Sequence, residues 1–163
     1  MRYQRVGSGD IDLITTFIRE AWKEAGPGAL GWSGATQEDI AEISSPAFLR
    51  ELAQDPEADF FVAKDGGKVV GMAVNRARSA SEVELSGIIV MQRLVGRGIG
   101  SGLLMKSEEA AMARGAGRLK VKTEVENLRA LAFYVGKGFR KGGESLERVG
   151  KVEVRTVVLR KKL

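Results

Sequence analysis

One run near the middle of the chain does most to decide the fold, and it reads Ile88-Ile89-Val90-Met91-Gln92-Arg93-Leu94-Val95-Gly96-Arg97-Gly98-Ile99-Gly100-Ser101-Gly102-Leu103-Leu104. Its first residues are apolar and β-branched, which is typical of a buried strand. Spaced glycines follow, and the later residues predict a helix from about Gly98 to Arg114. Glycines at a helix N-terminus let a phosphate approach the unpaired N–H groups there. The run therefore predicts a phosphate-binding turn, and a tight turn without a ligand is the alternative.

The glycine spacing matches neither of two common nucleotide-binding motifs. No Gly-Lys-Ser or Gly-Lys-Thr follows the glycines, so the turn is not a P-loop. A dinucleotide-binding turn needs a parallel βαβ unit, but the preceding strands at 59–64, 68–74 and 82–90 are joined by short turns. Asp65-Gly66-Gly67 is typical of a hairpin between the first two. These three strands therefore predict an antiparallel meander.

Hydrophobic period and turn residues predict the other elements. Residues 26–35 contain four glycines and read as a loop. The remaining elements are a strand at 3–6, a helix from the N-cap Asp10 to Ala25, a helical stretch from Thr36 to about Ala53 that Pro46 interrupts, a strand at 119–123, a helix at 127–137 and a strand at 151–159.

Composition limits the chemistry that the chain can perform. The 163 residues have a mass of 17.6 kDa, and we expect a single domain spanning 1–163. The chain contains no Cys and no His. Serine–histidine triads, cysteine nucleophiles and zinc hydrolases are therefore excluded. Catalysis must use carboxylates, Lys, Tyr, Ser, backbone groups or a bound cofactor.

Charge and hydropathy suggest the kind of partner and the compartment. The net charge of +5 favours an anionic partner, but the Lys and Arg residues are dispersed and aromatic residues are few, which argues against nucleic acid. No apolar run reaches the roughly 18–20 residues that span a membrane. The N-terminus lacks the apolar core of a signal peptide. We therefore expect a cytoplasmic protein without a membrane partner, and the final strand could pair across a homodimer.

Two motifs in the right order resemble the GNAT superfamily of N-acetyltransferases. The run Val90–Leu104 looks like motif A, whose Gln/Arg-x-x-Gly-x-Gly/Ala signature grips the pyrophosphate of acetyl-CoA. The register Val95–Gly100 places Val95 where the family has Gln or Arg. An offset register, Arg93–Gly98, also fits the signature, but the first agrees better with the helix that follows. Asn127–Phe139 resembles motif B, Asn-x-x-Ala-x-x-x-Tyr-x-x-x-Gly-Phe.

The resemblance implies both a fold and a reaction. The fold is α/β, with a mostly antiparallel sheet of six to seven strands, about four flanking helices, and a central parallel pair (82–90 and 118–124) splayed for CoA. The reaction is transfer of an acetyl group from acetyl-CoA directly to an amine through a tetrahedral intermediate, without a metal. A non-catalytic acyl-CoA-binding module on the same fold is the alternative. The acceptor stays open among a small amine, an amino acid, an aminoglycoside, a peptide N-terminus and a protein lysine.

The resemblance also assigns binding residues. The backbone of Val90 would hold the pantetheine arm, and Asn127 would contact the arm while capping its helix. Arg93 and Lys137 are candidate partners of the CoA phosphates, and Trp22 and Trp32 lie in the half that builds the acceptor pocket. The pyrophosphate would lie on the amides of Val95, Gly96, Arg97, Gly98, Ile99, Gly100 and Ser101, where Arg97 is a further candidate phosphate partner.

Direct transfer needs an acid and a base. A protonated amine has no lone pair, so a base must remove its proton, and the departing thiolate gains from a proton donor. Tyr134 matches the family's tyrosine beside the CoA sulfur and is the candidate donor. Its alternative role is an aromatic residue at the edge of the core. Glu84 is the candidate base, with Glu82 or water as the next choice. Alternation along a strand puts both glutamates on one face.

Helical spacing adds an expectation for the last helix. Residues three and four apart are neighbours on a helix, so Asn127, Ala130 and Tyr134 share one face. That face would border the cofactor. Leu131 and Val135 are then expected to point toward the core.

Overall fold

The computed structural model describes residues 1–149 and 151–163. Short 3-10 turns lie at Ser8–Asp10, Gly26–Leu30 and Gln92–Leu94. The helices and strands are β1 (Arg2–Arg5), α1 (Ile11–Ala25), α2 (Gln37–Ile43), α3 (Pro46–Gln54), β2 (Ala58–Asp65), β3 (Lys68–Ala77), β4 (Glu82–Val90), α4 (Ile99–Ala113), β5 (Arg118–Glu124), α5 (Leu128–Gly136), β6 (Arg140–Val149) and β7 (Val152–Lys162).

The seven strands form one sheet in the order β1-β2-β3-β4-β5-β7-β6. β4 and β5 run parallel, and the other neighbouring pairs are antiparallel. The predicted α/β fold with its meander and central parallel pair is confirmed. Five helices flank the sheet, against about four predicted, because Pro46 starts a separate helix at its first position and Ser45 caps that helix.

Helices cover both faces of the sheet and give it two apolar cores. On one face α4 and α5 share a core with Phe61 and Ala63 of β2, and on the other α1 and α3 share a core with Phe60 and Val62. Alternation along a strand sends successive side chains to opposite faces, so β2 is buried on both. Because both faces of β2 are buried, its sequence is a continuous apolar run and does not alternate between apolar and polar residues.

Two local details differ from the sequence analysis. Strand β6 was not predicted, because Gly142 and Gly143 lower strand propensity and its described side chains are mostly exposed. Asp10 occupies the N-cap position of α1, as predicted, but its carboxylate accepts hydrogen bonds from Gly7 N and from the Lys64 side chain rather than from the first turn of the helix. Because β7 pairs with both β5 and β6, a second chain would meet the edge of β6 rather than the final strand.

The helices of the described ranges are all too short or too polar to cross a membrane. The longest are α1 and α4, with 15 residues each.

Candidate active site

The parallel pair separates after four residue pairs. β4 and β5 pair from Glu82 with Arg118 to Leu85 with Val121. Beyond Leu85, β4 stays with β3 while β5 continues along β7 as far as Glu124. A gap therefore opens between the two central strands toward their carboxyl ends, as predicted.

The backbone of β4 faces this gap at alternate residues. Met91 N donates to Val70 O at 3.0 Å, on the side of β3. Hydrogen-bonding direction alternates along an antiparallel strand, so Ile89 also points its N–H and C=O at β3. The N–H and C=O of Ile88 and Val90 then point into the gap. Val90, the predicted pantetheine-binding residue, lies on this free edge.

A β-bulge sets which side chains of β4 meet which face. Leu85 pairs with Asn75 and Gly87 pairs with Val74, so Ser86 is the extra residue. The bulge reverses the alternation of the strand.

The glycine-rich turn leads from this strand into α4. Gly96 and Gly98 have φ angles of 86° and 82°. These left-handed values favour glycine, and they let the chain turn sharply into the helix. Gly102 N donates to Gly98 O at 3.0 Å, so the N–H groups of Ile99, Gly100 and Ser101 have no partner inside the helix. Val95 differs, because its N–H donates to Gln92 O.

A cavity of about 640 Å³ lies between the gap and the start of α4, and we call it the first cavity. It contains eight of the nine predicted cofactor-binding residues, and Arg97 is the one that does not line it. The lining residues of the turn, strand and α5 include Ile88, Val90, Val95, Gly96, Gly98, Ile99, Gly100, Ser101, Asn127, Phe133, Tyr134 and Lys137.

Gly100 and Gly102 of α4 lie against different parts of the structure. A Cβ atom at Gly100 would lie 3.6 Å from Phe133 and 3.9 Å from Val90, two residues that line the first cavity. A Cβ atom at Gly102 would lie only 2.2 Å from the ring of Tyr3. Gly100 therefore borders the cavity, whereas Gly102 packs against the Tyr3 ring of β1.

The start of α5 combines capping with the cavity wall. Asn127 Oδ1 accepts a hydrogen bond from Ala130 N at 3.2 Å, and both residues line the first cavity together with Tyr134. The predicted shared face is thus confirmed. Leu131 is buried as expected, but Val135 is 47% exposed, so the prediction for Val135 was wrong. Helix α5 packs on the core through Leu131 and Tyr134, and Val135 lies beside that stripe.

Tyr134 is held in an aromatic setting that fixes its hydroxyl in the protonated form. Only 5% of the residue is exposed. Its ring makes edge-to-face contacts with Phe133 and Phe139, with centroids 5.1 and 5.3 Å apart. Burial raises the pKa of Tyr134 far above its ordinary value. The hydroxyl therefore stays protonated at neutral pH.

Glu82 and Glu84 share one face of β4, as predicted, and both are ion-paired. Arg78 donates to Glu84 Oε1 at 3.0 Å, and Lys120 Nζ lies 3.2 Å from Oε2. Burial opposes the charge of Glu84, but the bonds from Arg78 and Lys120 outweigh it and lower its pKa. Arg160 and Lys120 do the same for Glu82. Neither glutamate lines the first cavity.

A second cavity, of about 290 Å³, lies on the opposite face of β4. Trp32 lines it, whereas Trp22, a residue of α1, is partly buried against the core on that face. Apart from Ala35, Ser86 and Gly87, its lining consists of two charged and ten large apolar residues: Asp39, Arg76, Ile18, Leu30, Trp32, Ile43, Phe48, Leu49, Leu52, Met72, Val74 and Ile89.

The loop at residues 26–35 contributes to both cavities and is tied across the gap. Ser33 donates from its N–H and its hydroxyl to Glu124 Oε1, at 2.9 and 3.0 Å. At the base of the loop, Glu24 accepts hydrogen bonds from Gln92 N and Arg93 Nη1. Arg93 is therefore engaged with a carboxylate and does not line the first cavity. The sequence could not reveal these contacts, because each joins residues more than 60 positions apart.

Comparison with known proteins agrees with this geometry. The model of the acetyltransferase (GNAT) family matches residues 17–139. The chain belongs to the GNAT acetyltransferase family. This GNAT protein is an acetyl-CoA-dependent acyltransferase, as the two sequence motifs predicted.

Three similar proteins illustrate the relationship. An uncharacterized N-acetyltransferase of Mycobacterium bovis is 31% identical over 110 residues, which cover 68% of this chain and 70% of that protein. N-alpha-acetyltransferase 30 of Schizosaccharomyces pombe is 30% identical over 107 residues, covering 63% and 71%. The crystal structure of PaiA N-acetyltransferase from Thermoplasma acidophilum in complex with coenzyme A aligns with a TM-score of 0.74 at 18% identity, covering 99% and 98%, and shows the shared fold.

Proposed function

We propose that this GNAT protein acetylates a primary amine, with acetyl-CoA in the first cavity and the amine reaching it from the second. One observation carries the proposal. The free edge of β4 at Ile88 and Val90 and the unpaired N–H groups of Ile99, Gly100 and Ser101 line a single cavity. That arrangement offers a strand edge to an amide-containing arm and a helix N-terminus to a phosphate group.

The residues of the first cavity suit each part of CoA. The N–H groups at the start of α4, with the positive end of its dipole, would hold the pyrophosphate. Val95 supplies no polar side chain there, so binding would rest on backbone groups and on the nearby Lys137. Ile88 and Val90 would pair with the pantetheine arm as a neighbouring strand would.

Tyr134 is the proton donor in this proposal. When bound, acetyl-CoA supplies an acetyl group whose thioester C–S bond is exchanged for an amide C–N bond, with one proton leaving the amine and one reaching the sulfur. The raised pKa of Tyr134 keeps its hydroxyl protonated at neutral pH, and the residue lines the cavity. The rings of Phe133 and Phe139 hold it in place.

Glu84 is the proposed base and would act through a water molecule. Before the bulge, Val83 and Leu85 point into the core with α4 and α5, so Glu84 faces the other side of the sheet. Arg76, which pairs with Glu84 across the strands, lines the second cavity on that side. Glu84 itself lines neither cavity, so a direct contact with the amine is not part of the proposal.

Release of free CoA thiol tests the proposed function. The purified chain is incubated with acetyl-CoA and a panel of primary amines, and CoA binding is measured in parallel by calorimetry. We expect thiol release that depends on an amine. Binding without release for every amine would support the non-catalytic alternative, and absence of binding would contradict the assignment of the first cavity.

A further inference from the structure

The second cavity carries an inference about the acceptor, which rests on the proposed function. Its position relative to the reaction site comes from β4. Ile88 and Val90 line the first cavity, whereas Gly87 and Ile89 line the second. The two cavities therefore lie back to back on the strand segment that begins at the bulge, where β4 and β5 separate.

The loop at residues 26–35 divides its side chains in the same way. Gly28, Ala29 and Gly31 line the first cavity, while Leu30 and Trp32 line the second. One loop and one strand thus form walls of both cavities. A molecule in the second cavity would contact β4 at Gly87 and Ile89, on the face of the sheet opposite to α4.

The lining of the second cavity is apolar, and its two charged side chains are of opposite sign. Asp39 Oδ2 already accepts hydrogen bonds from the N–H and hydroxyl of Thr36, at 2.7 and 2.9 Å. Arg76 Nη1 lies 3.4 Å from Asp55 Oδ2. A polyamine or an aminoglycoside carries several positive charges, and this cavity has no set of free carboxylates to match them.

We infer that the acceptor is a primary amine carried next to one large apolar group, aryl or branched alkyl, and that this group packs in the second cavity. The volume of about 290 Å³ is at the small end of ligand sites, which begin at about 300 Å³. It accommodates one ring or branched chain. Trp32 and Phe48 offer aromatic surfaces for edge or stacked contacts.

Thiol release with four amines tests the inference. 2-Phenylethylamine and ethylamine differ by one phenyl ring, spermidine is polycationic, and phenylalanyl-alanine amide presents the same apolar group on a peptide N-terminus. We expect kcat/KM for 2-phenylethylamine or for the peptide to exceed that for ethylamine and spermidine at least tenfold, because burying a phenyl ring is worth at least that factor. The better of the two phenyl-bearing amines identifies the source of the acceptor.

A pair of variants locates the selectivity. Ala35→Phe fills the second cavity, and Ala41→Phe adds the same ring at an exposed position of α2 that lines neither cavity. We expect Ala35→Phe to reduce kcat/KM for the phenyl-bearing amines at least tenfold, to reduce that for ethylamine by a smaller factor, and to leave the affinity for CoA within twofold. Ala41→Phe should match the wild type.

Contrary results are distinct from failure of the proposed function. Equal rates for the four amines, or preference for spermidine, would overturn the inference and leave acetyl transfer intact. These rates are measured on the wild-type chain, so they decide the matter even if Ala35→Phe fails to fold. No release with any amine would overturn both, and calorimetry with CoA then separates a lost activity from a wrongly assigned cofactor cavity.

Discussion

Both cavities border β4, but different kinds of chemical group line them. The first consists largely of backbone groups and small residues from two continuous segments, the run from Ile88 to Ser101 and α5, with a few residues of the α1–α2 loop. The second consists of side chains from α1, α2, α3, β3, β4 and the loop at residues 26–35, brought together only by the fold. Backbone groups at a helix N-terminus recognise a phosphate whatever the side chains are, whereas a wall of side chains selects by shape and polarity.

This contrast explains how a departure at one motif position can be tolerated. Val95 offers no donor in its side chain, and its N–H is used by Gln92 O. The N–H groups of Ile99, Gly100 and Ser101 nevertheless precede the first hydrogen bond of α4. A phosphate site made of such groups loses one contact at Val95 and keeps its framework.

Removal of the Tyr134 hydroxyl should give the largest effect. Tyr134→Phe keeps the ring contacts with Phe133 and Phe139 but cannot donate a proton, so we expect kcat to fall at least about 100-fold. CoA affinity and Tm should change little. The measurement is kcat with calorimetry and thermal melting on the same sample. A normal kcat would make Tyr134 a packing residue of the first cavity and would leave water as the proton donor.

Glu84→Gln tests the base, with Glu82→Gln as a matched control on the same face of β4. We expect Glu84→Gln to lower kcat by about 100-fold, most strongly at low pH where the amine is most protonated. Glu82→Gln should retain wild-type kcat. A loss confined to Glu82→Gln would move the base to that residue, and no loss in either would assign the step to water.

The ion pairs of Glu84 add a dependence of stability on pH. Because the folded state lowers the pKa of Glu84, its ionised form stabilises the protein above the pKa of an ordinary glutamate. That contribution is lost as the pH falls through the lowered pKa. The stability difference between wild type and Glu84→Gln should therefore be constant near neutrality and shrink in acid, as urea unfolding across pH would show.

Two glycines of α4 separate cofactor binding from packing. Gly100→Leu places a side chain between Phe133 and Val90, and we expect CoA binding to weaken at least tenfold, about 1.4 kcal/mol. Gly102→Ala places a methyl group where the far end of the Tyr3 side chain lies and should instead leave CoA affinity within twofold, while the free energy of unfolding reflects the lost Tyr3 contacts set against about 1 kcal/mol gained by replacing a helical Gly. Calorimetry with CoA and denaturant unfolding, each carried out on both variants, measure the two effects separately. Equal CoA affinity in Gly100→Leu and wild type would refute the phosphate site.

The tie between Ser33 and Glu124 should give the smallest effect. Glu124→Ala removes both hydrogen bonds that hold the loop across the gap, so we expect the KM for the amine to rise about fivefold, as the loss of about 1 kcal/mol implies. Glu126→Ala, at an exposed position two residues away, is the control. CoA affinity should be unchanged in both variants. A raised KM in Glu126→Ala as well would remove the loop explanation.

The sequence predicted most of the fold because local signals and tertiary structure agree there. The meander followed from Asp65-Gly66-Gly67 and from apolar runs, and the start of α4 followed from its glycines. β6 escaped prediction because an exposed edge strand with Gly142 and Gly143 carries no apolar pattern. The strand forms because β6 pairs with β7, a contact that the local sequence does not indicate.

In the candidate site, too, the sequence predicted the features that have local signals and missed those that depend on distant contacts. The predicted cofactor-binding residues are close in sequence and belong to the two motifs, and eight of the nine line the first cavity, whereas Arg97 does not. The second cavity is lined by Trp32, Phe48 and Ile89, which no spacing rule connects. The contact between Ser33 and Glu124 spans 91 residues and likewise has no local signature.

Titration of CoA into the ¹⁵N-labelled chain, followed by amide chemical shifts, tests most directly whether the two cavities have separate ligands. The account predicts the largest shifts at Ile88, Val90 and the turn from Gly96 to Ser101, with small shifts at Ile43 and Phe48 in the second cavity. The largest shifts at Ile43 and Phe48, or an unchanged turn, would contradict it.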